Sequence, residues 1–363
     1  MGVPFIQQYR IALYIIAQRL RRKRFYPLVL MLEPLFRCNL ACVGCGKIAY
    51  PEEILDQRLS VKECLSAVDE CGAPVVSVAG GEPLLHEDLP QIVEGIIKRK
   101  KFVYLCTNGL LLKNQIDRYA PTPYFTFSVH LDGNRERHDA SVGREGVFDV
   151  AVDSIRHAFA KGFRVTINCT LYEGVTAEET ATFFEFISEL GVEGITLTSG
   201  FSYETVNRRE MFLKRSVGKK LFREIFELGR GHNWKFNHTG LYLDFLAGNQ
   251  TYQCTPWGNP TRNIFGWQRP CYLLNEGYAS SFKELIEETD WDEYGLGHNP
   301  KCANCMLHSG FEATAVTDMF AHPIKAIRIA FNGPRTEGPL APDLALVDGE
   351  QVGVSPQQVL VDK

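Results

Sequence analysis

No uninterrupted apolar run in this 363-residue chain approaches the roughly 20 residues that a membrane-crossing helix needs. No export signal is visible either: the apolar stretch at 11–17 precedes its basic cluster, the reverse of leader order, and no small-residue cleavage site follows. Internal repeats are absent beyond an alternation of short elements. Acids are absent from residues 1–24, which hold Arg10, Arg19, Arg21, Arg22, Lys23 and Arg24, so this arm carries +6 and leaves −10 on the rest of a chain of net charge −4. The balance argues against a general nucleic-acid binder and predicts a basic arm on an acidic body. Cysteine, by contrast, is abundant at 11 residues, in a chain too long and too irregularly spaced for a secreted disulfide scaffold. The expectation is a reducing cytoplasm, with metal ligation the simplest use for clustered thiols.

With 45% hydrophobic and 23% charged residues, the chain can bury one large core and carry an appendage. β-rich runs at 27–32, 75–79, 102–106, 125–131, 164–171 and 194–198 alternate with amphipathic segments near 60–71, 88–99, 111–119, 145–161 and 176–190. Ser60 with Glu63 and Thr176 with Glu179 have capping-box spacing. Six strand–helix repeats predict an α/β fold with a parallel sheet, compatible with an open or closed barrel or a doubly wound sheet. In either case reactive groups belong at the strands' C-terminal ends. A long charged helix is expected over 206–230. Beyond it, Trp, Asn, Gly and Pro become frequent, predicting an irregular module that ends near Met319. The Pro- and Gly-rich tail from Pro334 reads as disordered.

The chemistry begins at Cys38, Cys42 and Cys45, a C-x3-C-x2-C triplet directly after the first strand. Three thiolates on one short loop can ligate three irons of a [4Fe–4S] cubane and leave the fourth open to a small molecule. A zinc site usually closes with four ligands, and no nearby fourth Cys or His is visible. The order strand, triplet, helix, strand, GGEP at 80–83, strand, TNG at 107–109, strand, S-x-x-x-D-G at 128–133 resembles the radical S-adenosylmethionine (SAM) superfamily. That resemblance implies a partial (β/α)6 barrel, with Cys38, Cys42 and Cys45 on the cluster. It also implies that Gly80, Gly81 and Glu82 hold the ammonium of SAM, and that Ser128 and Asn168 approach its methionine and ribose. One departure stands out: Gly44 occupies the place before the third cysteine where the family usually has an aromatic.

Longer stretches, 31–40 (MLEPLFRCNL), 104–109 (YLCTNG), 245–252 (FLAGNQTY), 254–262 (CTPWGNPTR) and 265–271 (FGWQRPC), resemble the adenosylhopane synthases of hopanoid biosynthesis. The resemblance implies that the 5′-deoxyadenosyl radical adds to the terminal alkene of the triterpene diploptene, giving adenosylhopane. It further implies SAM as co-substrate and a one-electron reductant such as flavodoxin or ferredoxin. The alternatives are a radical SAM peptide maturase with an auxiliary cluster, and a non-enzymatic iron–sulfur or zinc scaffold.

A wholly apolar substrate also fits the arm at residues 4–24. There Phe5, Ile6, Tyr9, Leu13, Ile16 and Leu20 recur at helical spacing beside the arginines, as in an interfacial helix on the cytoplasmic membrane face. A second amphipathic stretch, 320–331, sets Ile324, Ile327 and Phe331 against Lys325 and Arg328. Cys106, ending the third strand, is read as the hydrogen-atom donor that quenches the product radical, or else as a small buried hydrophobe. Cys64, Cys71 and Cys169 read as core. Cys254, Cys271, Cys302 and Cys305 are a candidate second site for an auxiliary iron–sulfur cluster or zinc, with Ser309 where a further cysteine is expected. The expected division is a basic amphipathic helix (1–25), the barrel (26–232), a cysteine-containing module (233–319), and a short helix with a tail (320–363).

Overall fold

The structure, a computed structural model, describes residues 2–201, 206 and 209–342. Helix α1 (Phe5–Leu20) leads into strand β1 (Val29–Leu32). The strands β2 (Val75–Val78), β3 (Phe102–Thr107), β4 (Phe125–His130), β5 (Arg164–Leu171) and β6 (Ile195–Ser199) follow the expected runs to within two residues. Between them lie α2 (Glu52–Leu55), α3 (Val61–Cys71), α4 (Leu89–Lys98), α5 (Leu112–Gln115), α6 (Arg135–Val142), α7 (Val147–Ala160) and α8 (Ala177–Glu189). Both expected capping boxes form: Ser60 and Glu63 satisfy each other's backbone N–H groups at the start of α3, as Thr176 and Glu179 do at α8.

All six strands are parallel and stand in sequence order, β6-β5-β4-β3-β2-β1. A doubly wound sheet reverses its strand order at a switch point. No reversal occurs here, so the crossover helices lie on one side and the sheet curls into the partial barrel. Leu30, Leu32, Val76, Val78, Val103, Leu105, Phe127 and Val129 face the helices and are buried. The alternate residues face inward, and the register sets Met31 beside Ser77, Ser77 beside Tyr104, Cys106 beside Ser128, and His130 beside Asn168.

The later segment is more ordered than its composition predicts. It contains α9 (Arg215–Leu228), α10 (Gly240–Leu246), β7 (Thr261–Asn263), β8 (Gly266–Gln268), β9 (Tyr278–Ala279), α11 (Phe282–Glu288), α12 (His308–Ala321) and α13 (Pro323–Asn332). Strand β7 pairs in parallel with β1, and β8 and β9 add antiparallel ribbons, giving a nine-stranded sheet. These strands are two or three residues long, too short for an alternating pattern to register. The helix expected over 206–230 begins only at Arg215. Before it, Arg209–Met211 makes a 3-10 turn, and the Glu173 N–H donates to the Met211 carbonyl at 2.8 Å, pinning this segment to the end of β5. Residues 202–205, 207 and 208, which that expected helix and its approach include, lie outside the described residues, as does the tail from 343.

Candidate active site

The triplet occupies the loop that leaves the C-terminal end of β1. All 11 cysteines are free. Burial pushes the Cys38 thiol up to about 11 and raises Cys42 and Cys45 as well, with neighbouring thiols adding to the effect at Cys38 and Cys42. A buried group of would-be anions calls for a cation, and the iron of a cluster meets that need. Among the described residues, no three His, Cys, Asp or Glu side chains close on a point that a single metal ion could occupy. Behind the triplet, Lys47 Nζ sits 2.8 Å from Glu33 Oε2 in a buried ion pair and lies over the Phe36 ring.

The glycine–acid turn follows β2 and clamps this loop. The N–H groups of Gly81 and Glu82 donate to the carbonyls of Leu35 and Arg37 at 3.0 and 2.9 Å. Gly80 adopts φ +109°, and a Cβ there would run into the Leu35 carbonyl, while one at Gly81 would run into those of Phe36 and Arg37. Both positions require glycine because backbone meets backbone. Glu82, 1% exposed, accepts from Thr107 Oγ1 and the Asn108 N–H at 2.8 Å each, and from the Leu84 N–H at 3.1 Å. The TNG turn is thus tied to the acid, and Asn108 Nδ2 reaches Asn39 inside the triplet at 2.7 Å. Burial still raises the Glu82 carboxyl to about 7. A desolvated acid on the cavity wall with spare acceptor capacity fits the ammonium of SAM.

Ser128 and Asn168 line the same cavity. Cys106 lines it too: its Sγ is 3.4 Å from Ser77 Oγ, and burial raises the thiol so that it keeps its hydrogen at neutral pH. The structure adds groups that the sequence reading passed over. His130 Nε2 lies 2.8 Å from Asp132 Oδ1, whose carboxylate also takes the Thr170 N–H and Ser141 Oγ. Burial alone would lower His130, but the Asp132 charge outweighs it and holds the imidazole above its ordinary value. The signal for Asp132 was present in S-x-x-x-D-G.

Tyr172, just past β5, accounts for the Gly44 departure. A Cβ at Gly44 would come within 2.9 Å of Tyr172 Oη, and one at Gly200 within 2.7 Å of the same ring. Two glycines therefore make room for one aromatic, which reaches the triplet from another strand.

Cys254, Cys271, Cys302 and Cys305 come together: a thiolate at Cys254 would be raised by burial first and then by the other three. Ser309 faces the main cavity and hydrogen-bonds Tyr272 instead of joining them. Cys64, Cys71 and Cys169 are core, as expected.

The cavity measures about 570 Å³, within the usual range for small-molecule sites. Its wall is polar near the triplet, with Glu82, Ser128, His130 and Asn168. Toward the strands' N-terminal ends apolar side chains become more frequent, among them Leu28, Val29, Val75, Ile11 and Ile15, beside the polar Gln7, Gln8, Asn237 and Glu312.

Comparison with known proteins agrees with this geometry. Residues 32–187 match the radical SAM superfamily, and residues 195–329 match a domain of unknown function, DUF3463. The chain is 30% identical over 139 residues to Fe-coproporphyrin III synthase of Methanosarcina barkeri, covering 37% of this chain and 35% of that protein. It is 31% identical over 168 residues to GTP 3′,8-cyclase of Aquifex aeolicus, covering 43% and 51%. The chain thus spans about half the length, or less, of these relatives. Streptococcus suis SuiB, in its structure bound to precursor peptide SuiA, superposes with a TM-score of 0.61 at 16% identity, over 82% of this chain and 74% of that one. At that identity the likeness concerns the fold. Where the family match runs, over residues 32–187, the structure clamps a cysteine loop to a glycine–acid turn above a parallel partial barrel, and this part of the chain has the radical SAM fold.

Proposed function

We propose that this enzyme transfers the 5′-deoxyadenosyl group of SAM to the terminal alkene of a large apolar substrate, a triterpene of the diploptene kind, to give adenosylhopane. The observation that carries the reading is the cavity, polar at the SAM end and richer in apolar side chains over the remainder, where Gln7, Asn237 and Glu312 are polar exceptions. When bound, the cluster on Cys38, Cys42 and Cys45 supplies the electron that cleaves SAM. Gly80, Gly81 and Glu82 hold the amino acid part, and Ser128 and Asn168 orient the rest. Addition forms a C5′–carbon bond and leaves a tertiary carbon radical. Cys106 hands over its Sγ hydrogen atom, and the resulting thiyl regains an electron and a proton with the help of a flavodoxin- or ferredoxin-class reductant.

The names of the relatives, an Fe-coproporphyrin synthase and a GTP cyclase, point to unlike substrates, so the shared barrel does not select one. SuiB, bound to a precursor peptide, favours a second reading, peptide maturation, with Cys254, Cys271, Cys302 and Cys305 on an auxiliary cluster. In that case 5′-deoxyadenosine is released free. Anaerobic incubation with SAM, dithionite and diploptene, followed by mass spectrometry, separates the two. An adenosine adduct is expected, and free deoxyadenosine without adduct would reject the lipid reading. With Cys106→Ala, the adduct should fall in yield or lose its stereochemistry.

A further inference from the structure

The cavity continues past the reacting groups. From Cys106 it runs along Tyr104, Ser77 and Val75 to the N-terminal ends of the strands, where α1 lies across the barrel as a floor. The Gly2 N–H donates to the Phe236 carbonyl at 2.9 Å, Tyr104 Oη donates to Gln7 at 3.2 Å, and Arg10 stacks on Tyr124 just before β4. Farther along the helix, Ile15 packs with Leu28 and Ala313, and Arg19 lies over Phe320 at the end of α12.

The floor helix is turned the unusual way round. A surface helix ordinarily points its apolar stripe at its own core. Besides Ile11 and Ile15, α1 directs Gln7 and Gln18 inward, 3% and 9% exposed, while Phe5 and Leu20 stand outside at 81% and 80%. Ile6, Tyr9, Leu13 and Ile16 complete the outer stripe, all of them exposed. Contiguous exposure of that kind marks a docking face.

Its surroundings choose the occupant. The helix holds no acid, and Arg19, Arg21, Arg22, Lys23 and Arg24 are exposed where it ends. Lys100 is exposed beside Tyr9 and Leu13. The acids nearby, Asp69 and Asp292, pair with Arg99 and Arg24. Beyond Phe320, which lies under Arg19 at the end of α12, α13 exposes Ile324 and Phe331 at 84% and 86%, with Arg328 exposed on the same helix. An apolar stripe rimmed by cations matches the interfacial zone of an anionic bilayer.

We infer that α1 docks this enzyme on an anionic membrane and that the apolar substrate passes from the bilayer into the barrel at the strands' N-terminal ends, past α1. The SAM end then stays on the aqueous side, and the alkene meets Cys106 from below. The inference rests on the lipid reading of the substrate.

Flotation with vesicles tests it. The wild-type chain, Phe5→Ser/Leu13→Ser/Leu20→Ser, and Arg21→Gln/Arg22→Gln/Lys23→Gln are each mixed with vesicles of phosphatidylglycerol and phosphatidylcholine or of phosphatidylcholine alone. Wild type should prefer the anionic vesicles by at least about tenfold, and each variant should lose about tenfold or more in binding. Dithionite-driven SAM cleavage should be unchanged, which shows both variants are folded. On diploptene carried in the anionic vesicles, the outer-face variant should lose about tenfold in adduct, and on a short water-soluble terminal alkene it should lose none. Equal vesicle binding, or equal turnover of vesicle-borne diploptene, by wild type and the outer-face variant overturns the inference and leaves the lipid reading intact. A concentration-dependent dimer abolished by the outer-face variant, without vesicle binding, assigns the face to a second copy and also overturns it. Vesicle binding that is lost in the variants, with no adduct from either alkene, rejects the lipid reading and keeps the docking face.

Discussion

At the C-terminal ends of β1–β6 the cavity wall is polar and tied together by hydrogen bonds among its loops, whereas at the N-terminal ends it is richer in apolar side chains and closed by one helix. The upper end is backbone against backbone: a cysteine loop, a glycine–acid turn and the TNG turn share hydrogen bonds, so each fixes the others. The lower end has few such bonds and relies on packing by Ile11, Ile15, Val316 and Phe320. The contrast assigns tasks. Radical chemistry needs fixed positions to within fractions of an ångström, while the hydrocarbon of the proposed function would need volume and a largely apolar wall.

The largest effect should come from the upper end. The triple variant Cys38→Ala/Cys42→Ala/Cys45→Ala should abolish SAM cleavage while leaving the circular dichroism unchanged. Iron and sulfide analysis of that variant also bears on Cys254, Cys271, Cys302 and Cys305, since residual iron would place a second cluster there and its absence would reject one. Next, Lys47→Met leaves Glu33 buried without its cation and should cost about 3–5 kcal/mol in denaturant unfolding. A loss near zero would show that the upper end tolerates an unpaired charge and so would weaken the contrast.

At the lower end, the two faces of α1 should behave oppositely. Ile15→Ala, at a position 1% exposed, should cost about 2–5 kcal/mol. Leu20→Ser, on the outer face, should stay within about 0.5 kcal/mol. Similar losses for both would mean that the outer stripe packs on protein.

The smallest effect is one of pH. Burial holds Glu82 near 7, above its unfolded value of 4.5. Its contribution to stability is therefore complete below about pH 4.5 and is lost as the pH rises through about 7. A bound ammonium reverses this, because it favours the carboxylate. SAM binding measured by calorimetry should tighten as the pH rises toward 7, by at most about tenfold per unit, and Glu82→Gln should remove that dependence.

Much of the upper end was legible because its requirements are local. Cys38, Cys42, Cys45 and the turn at 80–82 serve as contiguous motifs, and Asp132 stood in one that was read only for its serine. The six strands were legible from short β-rich runs. Tyr172 was not, because its service to Gly44 joins residues from different strands, and only the missing aromatic hinted at it. Strands β7–β9 escaped because two or three residues cannot show a period, and the start of α9 because a hydrogen bond from Glu173 interrupts a helical pattern.

The sequence by itself determined the cysteine and glycine–acid motifs and the order of helices and strands along the chain, since thiol spacing, glycine pairs and β-branched runs act within a few residues. It also marked the outer stripe of α1, whose helical period needs no partner to be seen. Only the tertiary structure decided that the sheet winds one way into a barrel, that the four later cysteines lie in one neighbourhood, and that the inner side of α1 forms the floor of the cavity. Those facts depend on which surfaces a folded chain can bury together, and burial is a property of the whole packing rather than of any segment.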